Sequence, residues 1–125
     1  MIFGVGTDIV AIKRMTELWQ RHGEHALRKI LAPDERAACT ASQDPARVLA
    51  KRFVAKEALG KALGIGIRFP LVLPEISVTH DALGKPGFSF SPSLAAYFSQ
   101  RKMTAHLSIS DEQDYAVAFV LLETP

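Results

Sequence analysis

DPARVLAKRFVAKEALGKALG, residues 44–64, decides the reading of this chain. Asp44 is a good N-cap and Pro45 a favoured first helical residue. Gly64 follows the last periodic position, where a left-handed turn ends a helix at little cost. These signals predict a helix from Pro45 to Leu63. At about 100° per residue, Ala46, Leu49, Ala50 and Phe53 fall in one narrow sector. Glu57 lies in the middle of that sector, and Lys61 lies at its edge one turn on. An acid in an apolar stripe is costly to bury unless it is paired or metal-bound. The plainer alternative is an exposed Glu57–Lys61 pair at a fraying helix end, stabilising by only about 0.3 kcal/mol.

Outward from this helix, the pattern predicts a first strand over 2–9, a helix over 11–22 and a short helical turn over 26–31. Ile12, Met15, Leu18 and Trp19 make the apolar stripe of the 11–22 helix. Pro33 starts a further helix, with Asp34 and Glu35 in the first turn, where acids favour the helix dipole. Residues 64–70 read as a loop and 72–79 as an edge strand interrupted by Pro74. The turn Gly84-Lys85-Pro86-Gly87 leads into a short strand at 88–90, and Ser91-Pro92 caps a helix running to about Lys102. Strands over 104–110 and 115–123 flank the acidic turn Asp111–Asp114, as in a hairpin. Helices segregated from a small, mainly antiparallel sheet make an α+β fold, and the whole of 1–125 is expected to be one domain. No βαβ rhythm is present, and Gly4-x-Gly6 is too short for a dinucleotide fingerprint.

Composition narrows the function. The 125 residues carry 15 Lys+Arg against 13 Asp+Glu, a net charge of +2, which argues against nucleic-acid binding as the main role. No aromatic platform interleaves the basic residues. The bases are nonetheless clustered, at Lys13, Arg14, Arg21, Arg28 and Lys29, and again at Arg47, Lys51, Arg52, Lys56 and Lys61. Such clusters suit a specific anionic partner, or two solvated helix faces. The single cysteine, Cys39, forms no internal disulfide and reads as buried filler. The longest apolar run, Tyr115 to Leu122, is too short to span a bilayer, and MIFGVGTDIV lacks the basic and apolar regions of a signal peptide. A soluble, cytoplasmic protein is expected, with no membrane or nucleic-acid partner.

Asp8 shares strand parity with Ile2, Gly4 and Gly6. Glycines on that face leave room for a ligand or another element, and a helix cap is the plainer role for Asp8. Two carboxylates without His or Cys are hard oxygen ligands that suit Mg²⁺, with Lys and Arg as phosphate contacts. The residues therefore imply a magnesium–phosphate site. In 104–110, His106, Ser108 and Ser110 line one face of a strand, as either a solvated face or the wall of a site or subunit interface.

Three segments together carry a resemblance: Gly6-Thr7-Asp8-Ile9-Val10; Ala50 to Ala58 with Lys61 to Ile67; and His106-Leu107-Ser108-Ile109-Ser110 with Tyr115 to Ala118. Gly84-Lys85-Pro86 is a fourth. Over essentially its whole length the chain resembles the holo-[acyl-carrier-protein] synthases, the short-chain class of 4′-phosphopantetheinyl transferases. The resemblance implies transfer of the 4′-phosphopantetheine arm of coenzyme A to a serine of apo acyl carrier protein, releasing adenosine 3′,5′-bisphosphate. It implies Asp8 and Glu57 as Mg²⁺ ligands, Glu57 and Lys61 as catalytic residues, and Lys61 beside the diphosphate. It also implies Arg52, His106 and Ser108 as coenzyme A contacts, with Arg52 and His106 on the 3′-phosphate from neighbouring subunits. Lys13, Arg14, Arg21 and Arg28 match the face that docks the acidic carrier, and a homotrimer is implied. Many members carry a second histidine where this chain has Asp111, so no base role passes to that position, which reads as a turn residue. A carboxylate or a metal-polarised water would take the serine proton. The competing readings are a basic adaptor without turnover and a Mg²⁺-dependent phosphohydrolase.

Overall fold

The computed structural model describes residues 1–125, and its elements follow the local signals closely. They run β1 Ile2–Ala11, α1 Ile12–His22, α2 Glu24–Ile30, α3 Pro33–Ala41, α4 Pro45–Leu63, β2 Ile76–His80, β3 Pro86–Phe90, α5 Pro92–Gln100, β4 Thr104–Asp111 and β5 Tyr115–Glu123. Both sheets are antiparallel: β1-β5-β4 and the separate ribbon β2-β3. The fold is α+β, with α4 packed along the three-stranded sheet, α1, α2 and α3 gathered around it, and α5 packed on β3. No helix is long and apolar enough to cross a membrane.

The ends of α4 form as its sequence predicts. Asp44 accepts a hydrogen bond from the Arg47 backbone N–H at 3.2 Å. Gly64 takes a left-handed conformation, φ 87°, and its N–H closes on Gly60 O at 3.0 Å. The helix does not fray. Its burial is not one-sided, however: Leu49, Ala50, Val54, Ala55, Ala58 and Leu59 are all fully buried. A helix enclosed on most of its circumference has no single stripe, so Phe53 and Glu57 sit at its margin, each half-buried.

Several boundaries differ from expectation: α2 starts at Glu24 rather than 26, and α5 ends at Gln100 rather than near Lys102. Pro74 falls in a 3-10 turn, Leu73–Glu75, and β2 starts only at Ile76, because proline cannot donate to a ladder. β3 begins at Pro86 rather than at 88. β1 continues to Ala11, so Asp8 lies inside the strand; α1 starts after Ala11 with no side-chain cap, and Asp8 does not cap it.

β1 is unusual in where it keeps its bulk. Val5, Thr7 and Ile9 pair with Leu121, Phe119 and Val117, and that face points away from α4. On the other face Gly4 and Gly6 meet α4 so closely that a Cβ on Gly6 would lie 2.1 Å from Ala58 O, and one on Gly4 2.0 Å from Ala62 O. The space those glycines leave is filled by the helix.

Candidate functional site

That close approach assembles the first cluster. Asp8 is two residues beyond Gly6 on the same strand face, so it faces α4 one turn past the contact. Lys61 reaches across, donating from Nζ to Asp8 Oδ1 at 3.1 Å and to Thr7 O at 3.0 Å. Lys61 therefore pairs with Asp8, and the local Glu57–Lys61 pair does not form. Glu57 makes no hydrogen bond through its side chain within the chain. Burial pushes its carboxyl above the ordinary range, and the Asp8 carboxylate pushes it further, against the pull of Lys61 and Arg14. Two carboxylates are thus held near each other, one of them unpartnered, with a half-exposed ammonium at the rim. Hard oxygen donors in this arrangement fit a divalent cation such as Mg²⁺.

Arg14 borders this cluster from α1, its guanidinium 5.7 Å from the Phe53 ring centroid. Lys13, Arg14 and Arg21 on α1 and Arg28 on α2 are all exposed, and of the four Arg14 acts on Glu57.

A second cluster lies on another side of α4. A cavity of about 120 Å³ is lined by Val48, Lys51, Arg52, Val78, His80 and Ile109. Arg52 Nη1 donates to Glu35 Oε2 at 2.8 Å and to Val78 O at 2.6 Å. Burial holds the His80 imidazole below its usual pKa, and the cations Arg52 and Lys51 lower it further against the pull of Asp81, so two cationic side chains face His80 across the cavity. Such a cavity accommodates an anion. Lys51 and His80 were not anticipated as site residues. Lys51 had a signal in its place beside Arg52, whereas nothing in the sequence ties His80, at the end of β2, to α4.

The other basic residues of α4 divide differently from expectation. Lys56 is no part of a basic surface: it is fully buried and paired with Glu35. Arg47 binds Asp111 at 2.8 Å and the carbonyls of Glu112 and Gln113, and Lys51 stands 3.6 Å from Asp111. Asp111 therefore ends β4 as an anchor of the β4–β5 hairpin to α4, and is more than a turn residue.

His106 and Ser108 point to the sheet's outer face, in register with Leu121 and Phe119, and both are exposed. His106 Nε2 meets Glu123 Oε1 at 2.7 Å. The sheet separates them from α4, so one chain does not bring them to Arg52. Their neighbours on this face are apolar: Phe3, Val5, Ile9, Tyr115 and Phe119 are each about half exposed or more. Cys39 is buried, as expected.

The family model of the 4'-phosphopantetheinyl transferase superfamily matches residues 4–120. A holo-[acyl-carrier-protein] synthase of Azoarcus sp. (strain BH72) is 54% identical over 124 residues, covering 99% of each chain. The crystal structure of the synthase from Neisseria meningitidis superposes with a TM-score of 0.94 at 42% identity, over 99% of this chain and 100% of that one. A Bacillus anthracis synthase, solved in complex with CoA (3',5'-ADP), superposes at 0.84 with 32% identity, over 100% of this chain and 99% of that one. With matches of this identity along its full length, the chain belongs to the holo-[acyl-carrier-protein] synthases of the 4'-phosphopantetheinyl transferase superfamily.

Proposed function

We propose that this chain, as one domain of residues 1–125 acting in the cytoplasm, transfers 4′-phosphopantetheine from coenzyme A to a serine of apo acyl carrier protein. The observation that carries the reading is the Asp8–Lys61–Glu57 cluster, built where Gly4 and Gly6 let α4 touch β1. The reaction is attack of a hydroxyl on a phosphorus of a diphosphate, with adenosine 3′,5′-bisphosphate leaving. Asp8 and Glu57 would hold Mg²⁺, which when bound supplies positive charge to the diphosphate oxygens. Lys61 adds a second positive charge at the rim, placed by Asp8 and Thr7 O and able to turn to a phosphate oxygen. Glu57 and Lys61 are thereby the residues assigned to catalysis.

Arg52 is assigned to the 3′-phosphate of coenzyme A, and the cavity it shares with Lys51 and His80 supports that assignment. Arg52 and Lys61 are nine residues apart on α4, about half a turn around the axis, and so face different sides. We assign His106 and Ser108 to the same ligand from a neighbouring copy. The apolar outer face on which they stand supports a homotrimer closing over it. The basic face Lys13, Arg14, Arg21 and Arg28 is proposed to dock the acidic carrier protein.

The test mixes the protein with apo acyl carrier protein, coenzyme A and Mg²⁺ and weighs the carrier by intact mass spectrometry. Expected is a gain of roughly 340 Da, one phosphopantetheine arm, as covalent transfer requires, lost with chelator and in Asp8→Ala and Glu57→Ala. An unmodified, competent carrier refutes transfer and favours an adaptor. Free phosphopantetheine in its place indicates hydrolysis.

A further inference from the structure

Beneath the cavity lies a buried charge network that the proposed chemistry does not use. Glu35 of α3 is 3% exposed and Lys56 of α4 is wholly buried. Glu35 Oε1 accepts from Lys56 Nζ at 2.5 Å and from Ala32 N–H at 2.9 Å. Its Oε2 accepts from Arg52 Nη1 at 2.8 Å and from Val78 N–H at 2.9 Å. Lys56 spends its other protons on Ile30 O at 2.7 Å and Leu73 O at 3.2 Å. Each carboxylate oxygen carries two bonds and each ammonium proton one, so neither side chain can turn without losing a bond. The network joins the α2–α3 junction, α4, the 3-10 turn and β2.

Stability alone does not account for it. Desolvating an ion pair costs about as much as the pairing returns, and apolar replacements of similar volume are often as stable or more so. What the network does provide is a fixed Arg52. Its guanidinium is held by Nη1, while Nε and Nη2 make no bond within the chain. Charge counting gives Lys56 a purpose as well. Glu35 with Arg52 alone would be neutral. With Lys56 protonated, a state that burial opposes and Glu35 and Asp34 favour, the three carry a net charge of +1, and Arg52 is the only member of the three on the cavity wall.

We propose that Glu35 and Lys56 are positioning residues for Arg52: Glu35 fixes the guanidinium at the cavity wall, and Lys56 cancels the charge of Glu35 so that Arg52 presents a full positive charge to an anionic ligand. This rests on the assignment of Arg52 to the 3′-phosphate of coenzyme A. The experiment compares coenzyme A with 3′-dephospho-coenzyme A, which lacks that phosphate, and reads the ratio of their kcat/KM values together with KM for the carrier protein. Arg52→Ala tests the assignment itself. Glu35→Gln tests the positioning, and the double variant Glu35→Gln with Lys56→Met removes both buried charges should Glu35→Gln alone fail to fold.

Expected is a fall of about tenfold in the preference for coenzyme A in Arg52→Ala, the size of one charge-assisted bond, with most of that fall in the Glu35 variants and carrier KM unmoved. If Arg52→Ala loses the preference while the Glu35 variants keep it, or lose rate equally on both substrates, the positioning role is overturned and the assignment of Arg52 survives. If Arg52→Ala keeps the preference, the assignment falls and the positioning role with it.

Discussion

Gly6→Ala should damage this protein more than any other change of one methyl group on the sheet. A Cβ at Gly6 would lie 2.1 Å from Ala58 O, 2.6 Å from Ala62 N and 3.0 Å from Lys61 Cβ, where ordinary contacts begin near 3.4 Å. The first two are backbone atoms of a helix buried at Ala58, Leu59 and Ala62, so neither yields by rotating a side chain. β1 and α4 must separate by about 1 Å. Two effects oppose. Alanine restricts the unfolded chain and favours folding by about 0.4–1 kcal/mol. Overpacking costs roughly 1–3 kcal/mol or more, and a clash with two backbone atoms belongs at the upper end. The net is a loss of about 2 kcal/mol, read as a fall of roughly 5–10 °C in Tm. Asp8 moves with the strand, so its 3.1 Å bond to Lys61 breaks and Mg²⁺-supported turnover falls more steeply than stability. The control is Gly87→Ala in β3, where a Cβ meets only Thr79 Oγ1 at 3.4 Å, and which should change stability by less than about 1 kcal/mol. Urea unfolding and the intact-mass assay measure both. A Gly6→Ala protein as stable and active as its parent would refute the claim that glycine is required for the helix contact that builds the site.

Three further outcomes are expected. Glu57 has a raised pKa, so the folded state holds its proton more tightly than the unfolded chain; its ionisation therefore costs stability as pH rises from about 4.5 through the higher folded value. In chelator, Glu57→Gln should unfold at higher urea than the parent at pH 7.5, with the gap gone at pH 4, and Mg²⁺ should stabilise the parent but not the variant; a gap independent of pH would contradict the desolvated carboxylate. Phe119→Glu places a charge in the middle row of the apolar sheet face, Thr7–Phe119–Ser108, and light scattering should fall from threefold 13.7 kDa to 13.7 kDa; an unchanged mass would show that this face is not the interface. Arg14→Glu should raise KM for the carrier protein severalfold while leaving KM for coenzyme A alone, and an equal rise in both would deny α1 its docking role.

What the sequence made legible was local. The ends of α4 were readable because Asp44, Pro45 and Gly64 act within one turn of themselves. Asp8 and Glu57 were readable as oddities, and their donor chemistry and the family resemblance joined them with Lys61 in one site; the β1–α4 contact that brings residues so far apart in sequence together was not readable. Lys56 was misread for an instructive reason. It stands two turns beyond the buried Leu49, at nearly the same angle, so its place in the interior was written in the periodicity. The one-sided stripe drawn through Phe53 hid it, because a helix enclosed on most sides has no polar face to which a lysine defaults.

β1 shows why assembly and site were hard to read separately. A strand packed on a helix usually turns its large residues inward. Here glycine is inward at 4 and 6, and Phe3, Val5 and Ile9 are outward. Close packing against α4 accounts for the inward glycines, and without that packing Asp8 would not reach Lys61. The strand's apolar bulk is then left on the solvent side, where only another surface removes it from water. The same alternation that sets Asp8 against α4 therefore creates the face proposed to join the copies, and His106 and Ser108 ride on that face through their register with β5. On this account Phe119→Glu should lose transfer along with its partners even though it leaves Asp8, Glu57 and Lys61 untouched. A Phe119→Glu monomer that transfers at the parent rate would uncouple the two and place every necessary residue within one chain.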